Sequence, residues 1–344
     1  MREGSKNLPP FSHPVSLSSY LFSDLSGLAN FEPFSDMSAI NALAPNMAYA
    51  FILNPLAGGQ KDPSFFAKVI DQFCREKKME YVLWKTERPG HGRILAEDAL
   101  KRGFQCVVAI GGDGTINEIA SALLYTRVPL GIIPKGSANG FAREFGIPLN
   151  PRKACETLLQ SNELSSDVGK INEEYFFSVA GLGFDAQVGY TYNRAQKDGR
   201  RGRRPYFTAG IREYFSYVPC AMNLSFGGSE RRLTPFLVAI ANSKQYGIGA
   251  RIAPKAVVND GFLTLTIVHQ APWYQHLRHL PKVFTGNIDR APFVETVLTK
   301  EVKITPEKEV PYHIDGEIRS GEGKLVATIE PGALTLKVPQ TYIA

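Results

Sequence analysis

The sequence predicts an α/β protein in two parts: a doubly wound parallel-sheet domain followed by a mostly antiparallel β-sandwich, with the functional site in the cleft between them. Three observations carry this. The apolar, β-branched run Val107–Ile110 breaks into Gly111-Gly112-Asp113-Gly114-Thr115 and resumes with Ile116, Ile119, Ala120, Leu123 and Leu124 at the spacing of one helix face. Strand-like and helix-like stretches alternate with short connections up to about Ser161, the pattern of a parallel sheet covered on both faces. Beyond that point short alternating segments separated by Gly, Pro, Asn and Asp take over.

Residues 1–46 are rich in Ser, Pro and Asn, and their apolar side chains follow no period, so they read as a flexible extension that docks through Phe31 and Phe34. The nucleotide-binding α/β domain is placed at 47–161. Ala48–Leu53 is its first strand, ending in Asn54-Pro55-Leu56-Ala57-Gly58-Gly59. A helix from Pro63 puts Phe66, Val69, Ile70 and Phe73 on one face, and Tyr81–Trp84 is the second strand. Thr86–His91 reads as a turn, Ile94, Leu95 and Ala99 as a second helix, and Leu130–Pro134 as the strand after the glycine turn. Three turns, Asn54–Gly59, Gly111–Thr115 and Lys135–Asn139, fall at carboxyl ends of strands, where open α/β sheets bind ligands.

The β-rich substrate domain is placed at 162–335, with strands at Tyr175–Val179, Leu237–Ala241, Leu263–Ile267, Val302–Ile304, Tyr312–Ile314, Leu325–Ile329 and Leu334–Val338. Helices are expected near Pro205–Tyr217 and Pro272–Phe284, and 336–344 is assigned to a tail returning to the first domain.

Composition limits the class. Hydrophobic content of 44% and charged content of 21% are those of an ordinary soluble globular chain. The net charge is +6; the first 46 residues hold two basic and four acidic side chains, leaving +8 on the body, which suits an anionic partner. Cys74, Cys106, Cys155 and Cys220 form no C-x-x-C pair, so neither zinc nor a disulfide framework is indicated. No apolar stretch approaches the roughly 18 residues of a spanning helix, and no signal-peptide core opens the chain. The expectation is a cytoplasmic protein.

The glycine turn carries the chemistry. Without Cβ atoms, backbone N–H groups can cradle a phosphate, the helix dipole favours the anion, and Asp113 is an acid placed to hold Mg²⁺. Other patterns carry less. Gly181-Leu182-Gly183-Phe184-Asp185-Ala186 fits a dinucleotide fingerprint but lies in the β-rich half, with a basic segment where the fingerprint wants an acid. No G-x-x-x-x-G-K-[ST] loop occurs, and the six histidines make no ligand-spaced cluster. Arg194, Lys197, Arg200, Arg201, Arg203 and Arg204, followed by Tyr206 and Phe207, suit contact with an anionic membrane. No nucleic-acid-reading module accompanies them.

Gly111–Glu118 resembles the nucleotide signature of the diacylglycerol kinase catalytic-domain family, which includes soluble bacterial lipid kinases and the sphingosine and ceramide kinases. Asn54–Gly59, Thr86 with Gly90-His91, Pro134–Asn139 with Phe141-Ala142-Arg143, Asn259–Leu263 and His313–Glu317 resemble further family segments in the family's order. Gly140 stands where the family usually has Asp.

The resemblance implies ATP and Mg²⁺ as cofactors. The backbone N–H groups of Gly111, Gly112, Asp113, Gly114 and Thr115 would hold the phosphates, and Thr115, Asn117 and Ser137 would add side-chain hydrogen bonds. Asp113 would engage Mg²⁺, Ile116 and Glu118 belong to the same nucleotide-binding stretch, and Asn54 and Thr86 would line the nucleotide. It points to the Asp-Gly-Glu turn for the base, with Asp315 favoured and Glu317 as orienter or substitute. It also implies a structural Mg²⁺ site from Asp260 and the carbonyls of Val257 and Phe262. The expected activity is transfer of the ATP γ-phosphate to a lipid hydroxyl at a membrane surface, diacylglycerol by default. An NAD kinase-like phosphotransferase shares the Gly-Gly-Asp-Gly turn, but the Asn-Glu pair after it and the Asp-Gly-Glu segment oppose that reading. A catalytically silent binding protein has Gly140 in its favour. A homodimer is compatible with the sequence.

Overall fold

The computed structural model describes residues 48–58, 62–197, 210, 212–247, 249–321 and 323–342, with backbone alone for 192–197. The readings made for 1–46, for Gly59, for the side chains of Arg194 and Lys197 and for 198–207 lie outside the described residues.

The N-terminal half alternates as its apolar periods dictate. β1 (Ala48–Leu53) leads to α1 (Pro63–Glu76), where Asp62 caps Ser64 N–H at 2.8 Å and Phe66, Ile70, Phe73 and Cys74 form the buried face. β2 (Glu80–Lys85), α2 (His91–Lys101) and β3 (Cys106–Gly111) follow; every residue of β3 is buried, as a central parallel strand requires. α3 (Asp113–Leu123), β4 (Leu130–Pro134), the one-turn α4 (Gly140–Glu144) and α5 (Pro151–Leu159) complete this half. β2, β1, β3 and β4 lie side by side, all parallel.

The chain then becomes antiparallel: β5 (Ser161–Ile171), β6 (Glu174–Phe176), β7 (Val179–Gly183), α6 (Phe184–Lys197), β8 (Met222–Phe226), β9 (Ser229–Leu233), β10 (Leu237–Ala241), β11 (Gln245–Gly247), β12 (Ala250–Arg251) and β13 (Leu263–Val268). α7 (Trp273–Thr285), β14 (Val294–Thr299), β15 (Glu301–Pro306), β16 (Val310–Ile314), β17 (Glu317–Gly321) and β18 (Leu325–Pro339) close the described chain. Residues 212–216 are helical within the helix expected near Pro205–Tyr217.

β18 joins the halves. It pairs with β4 in parallel through Leu336 and Leu130, and with β5 and β15 antiparallel, so one ten-stranded sheet runs β2-β1-β3-β4-β18-β15-β8-β9 with β5 and β6 alongside. It is one strand where two were expected, its register shifting between Glu330 and Leu334. A second, antiparallel sheet runs β14-β13-β10-β7-β16-β17. Leu182, Ile240, Leu265 and Ile267 from that sheet meet Leu224, Val302, Ile304 and Ala327 from the first in one core, the packing of a sandwich. A separate core of Ile52, Ile70, Ile110, Ile119 and Ile133 fills the parallel half. The expected strand Tyr175–Val179 is broken at Phe177–Ser178, where backbone N–H groups turn to the Asp315 carboxylate instead of a ladder.

Asp167 of β5 ties the loop before β13 to the middle of β18. Buried to 3% exposure, its carboxylate accepts Gly261 N–H at 2.6 Å and Gly332 N–H at 2.8 Å, so it holds both the 259–262 loop and the irregular middle of β18. Asp167→Ala leaves two N–H donors without their charged acceptor and should lower unfolding stability by roughly 3 kcal/mol in urea titrations. Asp260→Ala, at an exposed carboxylate, should stay within about 1 kcal/mol in metal-free buffer.

Candidate active site

Two of the three turns at the strand ends are packed together by glycine. A Cβ on Gly136 would lie 2.5 Å from Cα of Gly112, so the two turns touch backbone to backbone and admit no side chain. Gly111 O accepts both Lys135 N–H at 2.7 Å and Gly136 N–H at 3.1 Å. α3 starts at this contact with no side-chain cap on its first turn, leaving its N–H groups and dipole to an anion.

The neighbouring side chains brace this turn. Asn54 Nδ2 donates to Thr115 Oγ1 at 2.9 Å while Asn54 Oδ1 accepts Leu56 N–H, also at 2.9 Å. Lys135 is fully buried and donates to the carbonyls of Pro55 and Ala57, tying the Asn54–Ala57 turn to the end of β4. Thr86 is buried at the end of β2, with its N–H on Leu53 O. Ile116 lies in the core and Ser137 is exposed. Glu118 accepts Gly90 N–H at 2.8 Å and Gly92 N–H at 3.0 Å, so its carboxylate serves the start of α2. Asp113 Oδ1 accepts Phe141 N–H at 3.1 Å, linking the glycine turn to α4.

From the other half, the Asp315 turn closes on α3. Asp315 has φ of 47° and Gly316 of 86°, a left-handed pair that reverses the chain between β16 and β17. Asp315 Oδ1 accepts Ser178 and Val179 N–H at 2.8 and 3.1 Å; Oδ2 accepts Phe177 N–H at 2.8 Å and Asn117 Nδ2 at 3.0 Å. Burial pushes its pKa above the ordinary carboxylate value, against these four donors, which favour the anion. Four N–H groups also fill the acceptor capacity of a carboxylate.

Glu317, at the start of β17, is different. Its side chain is 61% exposed and its Oε2 meets Arg319 Nη2 at 3.1 Å. Its Oε1 faces the glycine turn, where a Cβ on Gly114 would come within 3.3 Å. The cleft between the halves is lined by Asp113, Asn117, Gly140, Phe141, Tyr246 and Asp315. Gly140 thus leaves the cleft wall without a side chain where the family's pattern would add a carboxylate.

Sequence reasoning missed the group behind this turn. His313 Nε2 lies 3.1 Å from Asp185 Oδ2, which also accepts the Tyr246 hydroxyl, and His313 Nδ1 accepts Gly316 N–H at 3.4 Å. A Cβ on Gly181 would fall 2.5 Å from Asp185 Oδ2 and 2.6 Å from His313 Nε2. The Gly181-Leu182-Gly183 signal therefore reports a close approach of side chains to a strand.

The Asn259–Leu263 segment stands apart. Asp260 Oδ1 accepts Phe262 N–H at 2.9 Å, an Asx turn, and the Phe262 ring lies 5.3 Å from Lys300 Nζ. The adjacent Val258 carbonyl is taken by Asp167 N–H at 2.6 Å. Among the described residues no three His, Cys, Asp or Glu side chains gather as a metal cluster, and no helix is long and apolar enough to cross a membrane.

Comparison with known proteins agrees with this fold. Residues 48–171 match the diacylglycerol kinase catalytic domain, and residues 178–338 match the YegS C-terminal NAD kinase beta sandwich-like domain. A probable YegS-like lipid kinase of Chromohalobacter salexigens is 34% identical, covering 74% of this chain and 83% of its own. A Bacillus subtilis diacylglycerol kinase is 29% identical, covering 77% of this chain and 88% of its own. The crystal structure of a diacylglycerol kinase from Bacillus anthracis shares the fold at a TM-score of 0.65 and 18% identity, covering 86% of this chain and 98% of that one. With an uncapped, glycine-packed helix start facing an Asp-Gly-Glu turn, and with relatives of this kind along its length, the chain belongs to the diacylglycerol kinase catalytic-domain family and is a lipid kinase.

Proposed function

We propose that the enzyme transfers the γ-phosphate of ATP to the free hydroxyl of diacylglycerol, giving phosphatidic acid, with Mg²⁺ as the divalent ion. The observation that carries this reading is the meeting of two halves: the open α3 N-terminus on one side and Glu317 Oε1, over Gly114, on the other. The acceptor follows from the names borne by relatives such as the Bacillus subtilis enzyme.

The residues fit the nucleotide. The Gly112–Gly136 contact leaves no side chain in the way, and the N–H groups of the first α3 turn supply donors for phosphate oxygens. Thr115 Oγ1, accepting from Asn54, retains its own proton to donate, and Ser137 adds an exposed hydroxyl. Asp113 has Oδ2 beside its Phe141 bond and would hold Mg²⁺, which neutralises developing charge on the transferred phosphoryl group. Asp260, with the carbonyls of Val257 and Phe262, offers the oxygen donors that suit a second, structural Mg²⁺.

Proton removal from the acceptor falls to Glu317. A base must keep an oxygen within reach of the substrate hydroxyl. Asp315 spends its acceptor positions on four N–H groups, whereas Glu317 Oε1 is turned toward the phosphate turn and Oε2 is steadied by Arg319. Asp315 is the positioning residue: it sets the turn that aims Glu317 and holds Asn117 against it.

The deciding assay is ATP turnover with diacylglycerol in mixed micelles, run beside NAD as acceptor; transfer to NAD alone would overturn the reading. Glu317→Gln keeps size and polarity but not basicity, so kcat should drop at least ~10²-fold while calorimetric ATP affinity holds. Asp113→Ala should abolish turnover with the circular dichroism spectrum intact; near-native turnover would remove Asp113 from the site.

Asp315→Asn sets an amide NH₂ among backbone donors, so it should lower both stability and turnover. Because burial raises Asp315, the proton that cancels its four-donor grip binds at a higher pH than for a free aspartate. The acid limb of kcat/KM should accordingly lie above the usual aspartate value of 3.8, activity falling as pH drops through it. A pH-rate profile with an acid limb at or below that value would contradict the positioning role.

A further inference from the structure

α7 has no buried residue, although a surface helix of this length ordinarily buries a stripe. Its outer side is instead the apolar one. Trp273, Leu277, Leu280 and Phe284 recur at i, i+4, i+7 and i+11 and are 57%, 60%, 51% and 51% exposed. Its inner side is held by ring contacts: His276 Nδ1 bonds the Tyr214 hydroxyl at 2.7 Å, and the rings of His276 and His279 lie 4.7 and 5.5 Å from that of Phe293. Beyond Tyr214, whose ring lies 5.5 Å from that of Phe215, Phe215 and Val218 are 76% and 71% exposed.

A solvent-facing stripe of this kind marks an interaction surface. Its composition selects the partner. Tyr274 beside Trp273 gives the helix start two exposed aromatic rings, the residues favoured where hydrocarbon meets water. Arg278 and Lys282 are the only formal charges of α7, which carries no acidic side chain. Apolar stripe, interfacial aromatics and unopposed cations together describe a helix lying in the headgroup plane of an anionic bilayer. The placement suits the chemistry: α7 packs on β12, whose hairpin partner β11 carries Tyr246 into the catalytic cleft.

We propose that the outer face of α7, with Phe215 and Val218, seats the enzyme on an anionic bilayer and so presents the cleft to its lipid. This rests on the reading of a lipid acceptor, and it assigns the docking surface to residues other than the Arg194–Arg204 run.

The test is partitioning of the full chain onto phosphatidylcholine–phosphatidylglycerol vesicles without ATP. Leu277→Ser with Leu280→Ser should weaken partitioning by about tenfold or more, since each leucine that enters the acyl boundary leaves water. Both side chains are exposed, so the melting curve should stay native, and turnover of a water-soluble short-chain diacylglycerol should not change. Brominated acyl chains should quench the emission of Trp273, and Trp273→Phe, which leaves only Trp84, should remove that quenching. Equal partitioning of variant and wild type, or no quenching, would overturn the proposal. So would a dimer in sedimentation that the double variant dissolves without loss of vesicle binding, because a second copy would then cover the face. An enzyme that docks but does not phosphorylate diacylglycerol would fault the acceptor assignment and leave the docking surface standing.

Discussion

The carboxylate of Asp315 receives N–H groups from Phe177, Ser178, Val179 and Asn117, and the arrangement of the catalytic cleft depends on that reception. Two of the donors come from the break between β6 and β7, a third from Val179 at the start of β7, and the fourth from the second turn of α3 in the other half of the chain. A buried carboxylate is tolerable only when its lone pairs are met. Satisfying this one requires β6 to end early, α3 to approach the sandwich, and the 314–317 reversal to adopt left-handed backbone angles. The same bonds that offset part of the desolvation cost therefore place Glu317 across from the glycine turn.

On the glycine-turn side the governing constraint is steric. Gly112 and Gly136 pack with no room for a Cβ, and Gly111 would bring its own into Thr115 at 2.5 Å. The turns after β3 and β4 thus touch backbone to backbone, and the turn after β1 is tied to them by the buried Lys135 ammonium and by Asn54. Side chains that look like ligands in the sequence act in part as this bracing. Glu118 holds the start of α2, and Asp113 holds the start of α4, so the donors left open at this turn are chiefly backbone N–H groups and hydroxyls.

The two halves share a sheet as well as a cleft. β18 pairs with parallel β4 at one end and with antiparallel β15 at the other, and β5 follows it along most of its length. Asp167 anchors the point at which that long strand loses register. A hinge at the domain boundary would have to bend these paired strands, so the cleft geometry is coupled to the integrity of the sheet rather than to a flexible linker.

Local information in the sequence was enough for the elements with a strong period. The buried run of β3, the amphipathic α1 and the glycine turn stand where their patterns place them, because burial on both faces or on one helix stripe leaves a direct mark on residue order. The family motifs likewise marked the Asp-Gly-Glu turn. Tertiary structure alone decided what surrounds those residues. Asp315 and Glu317 are two positions apart and chemically alike, yet one is enclosed by donors from distant segments and the other stands open over Gly114. The pairing of Asp185 with His313, the anchoring by Asp167, and the exposure of the apolar side of α7 were equally invisible. The physical reason is common to all of them: a carboxylate's role is set by which N–H groups and how much water reach it, and an apolar stripe's role by what covers it. Both are properties of chain segments brought together from far apart.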